Sequence, residues 1–225
     1  MSRLCVVFDL DDTLYPERSF AVSAFADAAA WAKEKHGIAG LDVEMTRLLD
    51  DGHLGTLFPL ALERHGIDPA HASDLIELYR SHQPVALALY DDVPPVLTHF
   101  EAAGPIGLIT DGTVGVQQAK VRALGLQQRF SEIIYTHALG GREFAKPHPA
   151  SYEALMQAVG GPGDRFVYVG DNPAKDFVSP NRMGWTTVQI VRPRRIHSSA
   201  EAISGGSAHH VIETLTELPK LLGAD

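Results

Sequence analysis

The chain has a single cysteine in 225 residues, Cys5, so no disulfide can form within it. That cysteine stands in the apolar run Leu4-Cys5-Val6-Val7-Phe8, which marks it as a buried thiol and suits a reducing compartment. No apolar run approaches the roughly 20 residues that a membrane helix needs. The charged region, long apolar segment and small-residue cleavage site of a secretory signal do not follow one another at the N-terminus, so the expected location is cytoplasmic. Positive charge is scarce as well: Lys and Arg number 19 against 28 Asp and Glu, a balance of −9 with histidine neutral. Nucleic acid and anionic membranes select basic surfaces, and neither is expected as the main partner. A small phosphorylated molecule stays open, because its charge is handled locally by a metal and one or two cations. Internal repeats and low-complexity tracts are missing, and Ser204-Gly205-Gly206-Ser207 reads only as a loop.

With 45% hydrophobic and 21% charged residues the composition is that of a globular protein able to bury a sizeable core. The length suits one large domain, or a core domain carrying a smaller one. The apolar run at the N-terminus reads as a buried strand and ends in Phe8-Asp9-Leu10-Asp11-Asp12-Thr13. In an extended chain alternate side chains share a face, which predicts that Asp9 and Asp11 project together from the strand tip. Two carboxylates so placed repel one another unless a cation joins them.

Residues 16–89 then show helical spacing and no convincing strand. An alanine-rich stretch runs from Ser19 to His36, another helix starts near Asp42, a third carries Phe58 and Leu62, and Asp68-Pro69 opens a fourth. From Tyr90 onward strands and helices alternate. The strands are expected at Pro105–Ile109, Ile133–Tyr135, Arg165–Val169, Thr186–Val191 and near Val211-Ile212. Alternation of this kind predicts an α/β fold, a doubly wound parallel sheet covered on both faces. The expected organisation is a core of residues 1–15 and 90–225 with a helical cap at 16–89.

Polar residues fall at the strand ends: Asp9 and Asp11, then Thr110, then Asp171, with Lys146-Pro147 between the last two. In an open parallel sheet the strand C-termini line one edge, where ligands bind at the topological switch point. Each residue has a duller use on its own, as a turn, a helix cap or a solvated loop charge. Asp12 and Asp111 are expected to serve turn geometry, and Arg192, Arg194, Arg195 and His197 to form a solvated loop that can reach the active edge. None of the 11 histidines has the spacing of a metal pair. Gly160-Gly161-Pro162-Gly163 lacks the Lys-Ser/Thr ending of a phosphate-binding P-loop.

Taken in order, these residues resemble the motifs of the haloacid dehalogenase superfamily. The first, Asp-x-Asp-x-Thr, is matched by Asp9, Asp11 and Thr13; the second, a strand-end hydroxyl, by Thr110; the third by Lys146-Pro147; the fourth, Gly-Asp-x-x-x-x-Asp, by Gly170, Asp171 and Asp176. The resemblance covers nearly the whole chain and implies a Rossmann-like core and a phosphatase. It implies Asp9 as nucleophile, Asp11 as proton carrier, and Thr110 with the Asp111 N–H as phosphoryl holders. Lys146 would neutralise charge, Mg²⁺ would be held by Asp9, the Asp11 carbonyl and Asp171, and Asp176 would act from behind them. Asp-Thr-Leu-Tyr-Pro after the nucleophile resembles the branch of pyrimidine 5′-nucleotidases and flavin-pathway phosphatases. A nucleotide is therefore the first expected substrate and a sugar phosphate the second. Specificity is expected to reside in the cap, with Asp51 and His53 of the loop 50–55 as its candidate residues, although a surface turn is the first reading of that loop.

Other reactions on the same fold stay open at this point. A haloacid dehalogenase typically lacks the second Asp of the first motif, and Asp11 is present. A phosphonate hydrolase needs a cap lysine, and Lys33 and Lys35 lie on a face expected to be exposed. A phosphoryl mutase and a non-catalytic phospho-Asp binding protein are the remaining alternatives. Monomer and homodimer are equally compatible with the sequence.

Overall fold

The computed structural model describes residues 3–224. Six strands, β1 (Leu4–Phe8), β2 (Ile106–Thr110), β3 (Glu132–Tyr135), β4 (Arg165–Gly170), β5 (Thr186–Ile190) and β6 (His210–Ile212), form one parallel sheet in the order β3-β2-β1-β4-β5-β6. The order reverses between β1 and β4, the switch point of a doubly wound sheet. β1 is buried on both faces, and its alternation sorts the core into two layers. Val6, Phe8 and Leu10 join Val96, Leu97 and Phe100 of helix α5 (Val93–Ala103) on one side. Cys5 and Val7 join Tyr152 and Leu155 of α7 (Ala150–Val159), with Trp185, on the other. Both faces are thus covered by helices, as parallel sheets require. Helices α6 (Val114–Ala123), α8 (Val178–Arg182) and α9 (Leu218–Leu222) complete the layers.

Between β1 and α5 the chain makes four helices, α1 (Glu17–His36), α2 (Leu41–Asp50), α3 (Leu57–Arg64) and α4 (Ala72–Ser81). They enclose a separate apolar cluster that includes Phe25, Ala28, Met45, Leu48, Leu62 and Leu75. Gly37, at φ 70°, ends α1: its N–H returns to Lys33 O at 3.1 Å and that of Ile38 to Ala32 O at 3.3 Å, satisfying carbonyls the helix leaves open. Asp68-Pro69 does not open α4 directly. The Asp68 carboxylate accepts Ala70 N at 2.9 Å and stabilises a short 3₁₀ turn, Pro69–His71, after which α4 begins at Ala72. Among the described residues no helix is long and apolar enough to cross a membrane.

Arg192 corrects one expectation. It is 6% exposed rather than solvated. Its guanidinium meets both Asp92 oxygens at 2.7 and 2.9 Å, donates to Thr13 O at 3.2 and 3.0 Å, and covers the Tyr90 ring at 4.1 Å. Tyr90 N in turn donates to Leu14 O at 3.0 Å, so both ends of the helical insert are fastened at one place. The change Arg192→Ala leaves Asp92 without its cation, held only by Thr214 Oγ1 and Leu215 N at 2.8 Å each, and the expected loss of stability is about 3 kcal/mol. Urea denaturation of the variant measures it.

Candidate active site

The C-terminal ends of β1, β2 and β4 deliver Asp9, Thr110 and Asp171 to one edge of the sheet. Lys146, in the loop that leads from β3 to α7, reaches the same point. Its Nζ lies 2.6 Å from Asp9 Oδ1, 2.8 Å from Asp176 Oδ1 and 3.0 Å from Tyr168 Oη, and the ammonium is wholly buried. Asp176 Oδ2 accepts Asn172 N at 2.8 Å, turning this carboxylate back into the site. Gly170 permits that approach, because a Cβ there would stand 2.6 Å from Asp176 Oδ2.

Asp9, Asp171 and Asp176 can each offer an oxygen within 4.8 Å of the others. Burial, then the charges of Asp176 and Asp9, push the Asp171 carboxyl up to about 9, and its Oδ2 is buried without a hydrogen-bond partner. Burial likewise raises Asp9 to about 6, and Lys146 offsets this only in part. Burial alone would lower Lys146, but Asp176 and Asp9 outweigh it and hold the ammonium charged. Three buried carboxylates thus face one buried ammonium, and the orphaned Asp171 oxygen points to a missing positive charge. An all-oxygen donor set of this kind fits a hard divalent cation such as Mg²⁺.

Asp11 departs from the shared-face expectation. Asp9 N still donates to Val169 O at 2.8 Å, but beyond Leu10 the chain turns helically, with Leu14 N donating to Leu10 O at 3.0 Å, so strand alternation stops before Asp11. Its carboxylate faces α6 instead. Lys120 Nζ and Tyr15 Oη both lie 2.6 Å from Oδ1, and Gln117 Nε2 donates to Oδ2 at 2.8 Å. Burial would raise this carboxyl, but Lys120 and the bonds from Tyr15 and Gln117 bring it below its ordinary value. Gln117 Nε2 also lies 2.5 Å from Thr110 Oγ1, linking the strand-end hydroxyl to the Asp11 clamp.

Asp111 braces the loops around the site. Its Oδ1 accepts Thr136 Oγ1 at 2.9 Å and Lys146 N at 3.0 Å, and its Oδ2 pairs with Lys175 Nζ at 3.2 Å. Asp12 sits at φ 52°, in the left-handed region that Asp tolerates, and accepts Glu17 N at 2.9 Å and Ile196 N at 2.7 Å. It shapes the turn and holds the 192–197 loop beside it.

Tyr15, Gln117, Lys120 and Lys175 had no counterpart in the sequence reading. Gln117 and Lys120 stand one turn apart on α6, and two polar residues on one face of a helix that follows an active-edge strand are the signal that was available. Asp51 and His53 lie in the surface turn that follows α2. Both are exposed, and Asp51 pairs with Arg47 at 3.0 Å across one helical turn. From that loop it is Leu54 that faces the space next to α1.

Comparison with known proteins agrees with this geometry. The sequence profile of haloacid dehalogenase-like hydrolases matches residues 4–184. A glyceraldehyde 3-phosphate phosphatase of Methanopyrus kandleri is 30% identical over 201 residues, covering 83% of each chain. A ribulose-1,5-bisphosphate 5-phosphatase of Halopiger xanaduensis is 27% identical over 96% of this chain and 98% of its own. Among solved structures, magnesium-bound YfnB of Bacillus subtilis superposes with a TM-score of 0.71 over 99% of both chains at 14% identity, a likeness of fold alone. The matched span holds every motif residue from Asp9 to Asp176, and the chain belongs to the haloacid dehalogenase-like hydrolases.

Proposed function

We propose that this phosphoric monoester hydrolase releases phosphate from a small phosphorylated metabolite through an aspartyl-phosphate on Asp9, with Mg²⁺ in the carboxylate cluster. The observation that carries the reading is the buried set Asp9, Lys146, Asp171 and Asp176, with an unpartnered Asp171 oxygen in its midst. Asp9 Oδ attacks phosphorus, the bond from phosphorus to the leaving oxygen breaks, and Asp11 supplies the proton that oxygen needs. Water then attacks the aspartyl-phosphate, Asp11 takes its proton, and Asp9 is restored. Lys146 balances the charge that collects on Asp9 and the phosphoryl group, and Thr110 with the Asp111 N–H holds the phosphoryl oxygens. Mg²⁺ held by Asp9, Asp171 and the Asp11 carbonyl would polarise the phosphoryl oxygens and bring the phosphate dianion and the carboxylates together. Asp176 keeps Lys146 in place. In the resting geometry Asp11 is ionised and engaged by Lys120, so it must leave that clamp and take up a proton from water before it can supply one.

Residues 16–89 act as a cap that closes over the strand edge and excludes bulk water. Among the two expected substrate classes, the relatives named for glyceraldehyde 3-phosphate favour a sugar phosphate over a nucleotide.

Phosphate release from a panel of monoesters, with haloacid and phosphonate controls, tests the reading. Release is expected with Mg²⁺ and not after chelation, and activity indifferent to a strong chelator would remove the metal. The carboxyls also set a pH dependence. Asp171 rises to about 9 and Asp9 to about 6, so between these pH values metal binding displaces one proton. Mg²⁺ affinity, read by calorimetry, is therefore expected to strengthen about tenfold per pH unit over that window and to level off above it.

A further inference from the structure

Next to the Asp11 clamp lies a cavity of about 250 Å³ between α1, α3, α4 and the 196–197 segment. Phe25, Leu54, Phe58 and Tyr79 give it apolar walls, and Glu17 and His197 are its ionisable lining. The Glu17 carboxylate stands 3.9 Å from Lys120 Nζ, which is itself 2.6 Å from Asp11 Oδ1. Glu17 thus belongs both to the cavity wall and to the Lys120–Asp11 cluster, so the cavity borders the clamp of the proton carrier on the side of the helical insert. Its volume equals that of roughly eight water molecules at about 30 Å³ each, enough for one ring or a short chain.

The lining holds no lysine or arginine. The cations of the catalytic edge, Lys120, Lys146 and Lys175, are each paired with a carboxylate. Burial and the Asp11 charge push the Glu17 carboxyl up to about 8, and His197 stands exposed at the rim, so the lining offers no permanent positive charge. An ionised group packed against these walls would trade water for apolar contact and find no lysine or arginine in the lining. An apolar face would gain contact with three aromatic rings.

We propose that the leaving group of the substrate is compact, bears no ionised group, and packs an apolar face against Phe25, Phe58 and Tyr79 in this cavity. The inference rests on the phosphatase reading and narrows it. It separates phosphates of neutral alcohols from those whose leaving group carries a carboxylate or a second phosphate. A neighbouring cleft of about 550 Å³ shares Leu49 and Ile196 with the cavity and is lined by Arg18, Arg194 and Arg195. Arg18 there is spent on Asp50, at 2.6 and 2.8 Å.

The test compares kcat/KM of the Mg²⁺-loaded full chain for methyl phosphate, phenyl phosphate, glyceraldehyde 3-phosphate, phosphoglycolate and ribulose 1,5-bisphosphate. Methyl phosphate reports the chemistry with the cavity unfilled. Phenyl phosphate and glyceraldehyde 3-phosphate are expected to exceed the two polyanions by about a hundredfold, mostly through KM. Leu54 is 43% exposed, so Leu54→Arg is compatible with folding and places a cation on the wall. The variant is expected to gain about tenfold on phosphoglycolate and to lose on phenyl phosphate. Polyanions hydrolysed as well as or better than the neutral esters would overturn the inference while leaving the phosphatase reading intact. Loss of that polyanion preference in Arg195→Gln would then assign the second charge to the arginine cleft. Release from none of the five would overturn both readings together.

Discussion

Asp9→Asn is expected to reduce phosphate release by about 10⁴-fold or more, since the amide has no charge with which to attack phosphorus. The side chain keeps its size, and its carbonyl can still accept from Lys146, now 2.6 Å from Asp9 Oδ1. The fold is therefore expected to survive. The pH dependence of stability separates this change from simple disruption. Burial raises the Asp9 carboxyl to about 6 from an ordinary value near 4, so in the metal-free protein the neutral form is favoured by folding. Stability from this group is complete at low pH and is lost as pH rises through about 6. Asn lacks that titration, and thermal denaturation at pH 5 and pH 8 should show a smaller decline for the variant than for the parent. A variant that turns over at the parental rate would remove Asp9 as the nucleophile.

Lys146→Met has the largest expected effect on the resting protein. The ammonium is wholly buried and stands against two buried carboxylates, at 2.6 Å from Asp9 and 2.8 Å from Asp176. Methionine fills much of the same space but leaves both acids without their cation. The expected loss of stability in the metal-free protein is about 3–5 kcal/mol, and that of activity about 10³-fold. The defect is expected to grow with pH, because the stranded carboxyls are tolerable only when protonated. Mg²⁺ should recover part of the stability and none of the missing transition-state charge. Denaturation curves with and without the metal, paired with phosphate release, separate the two roles.

The catalytic edge was legible in the sequence because strand ends are local features. Asp9, Thr110 and Asp171 each close an apolar run, and a parallel sheet brings such ends together wherever they occur in the chain. Asp11 turns toward α6 because alternation ends at Leu10, where the hydrogen bonds from Thr13 N and Leu14 N to Leu10 O and the positive φ of Asp12 mark a turn that a run of residue types does not reveal. Its partners were hidden for another reason. Gln117 and Lys120 are 2% and 3% exposed, yet polar residues on a helix read as a solvated face until something is seen packed on them. Arg192 was obscured in the same way, since its carboxylate partner Asp92 lies 100 positions away. In the cap loop the polar residues carry the visible signal, whereas Leu54, an apolar residue with no chemical signature, is the loop residue that lines the cavity.

Tyr90 N bonds to Leu14 O, so the helical insert leaves the core and rejoins it at adjacent points. An insertion whose ends meet places no demand on the span between them. The four helices can lengthen, shorten or be exchanged without shifting β1, and hence without moving Asp9 relative to Lys146. On the proposed reading, substrate choice and bond-breaking could then change independently, the first in the exchangeable part and the second in the sheet. Arg192 sits where those two parts are joined, holding Thr13 O from one end and Asp92 from just beyond the other. A substitution there acts on neither substrate nor phosphorus, but on how the one is presented to the other.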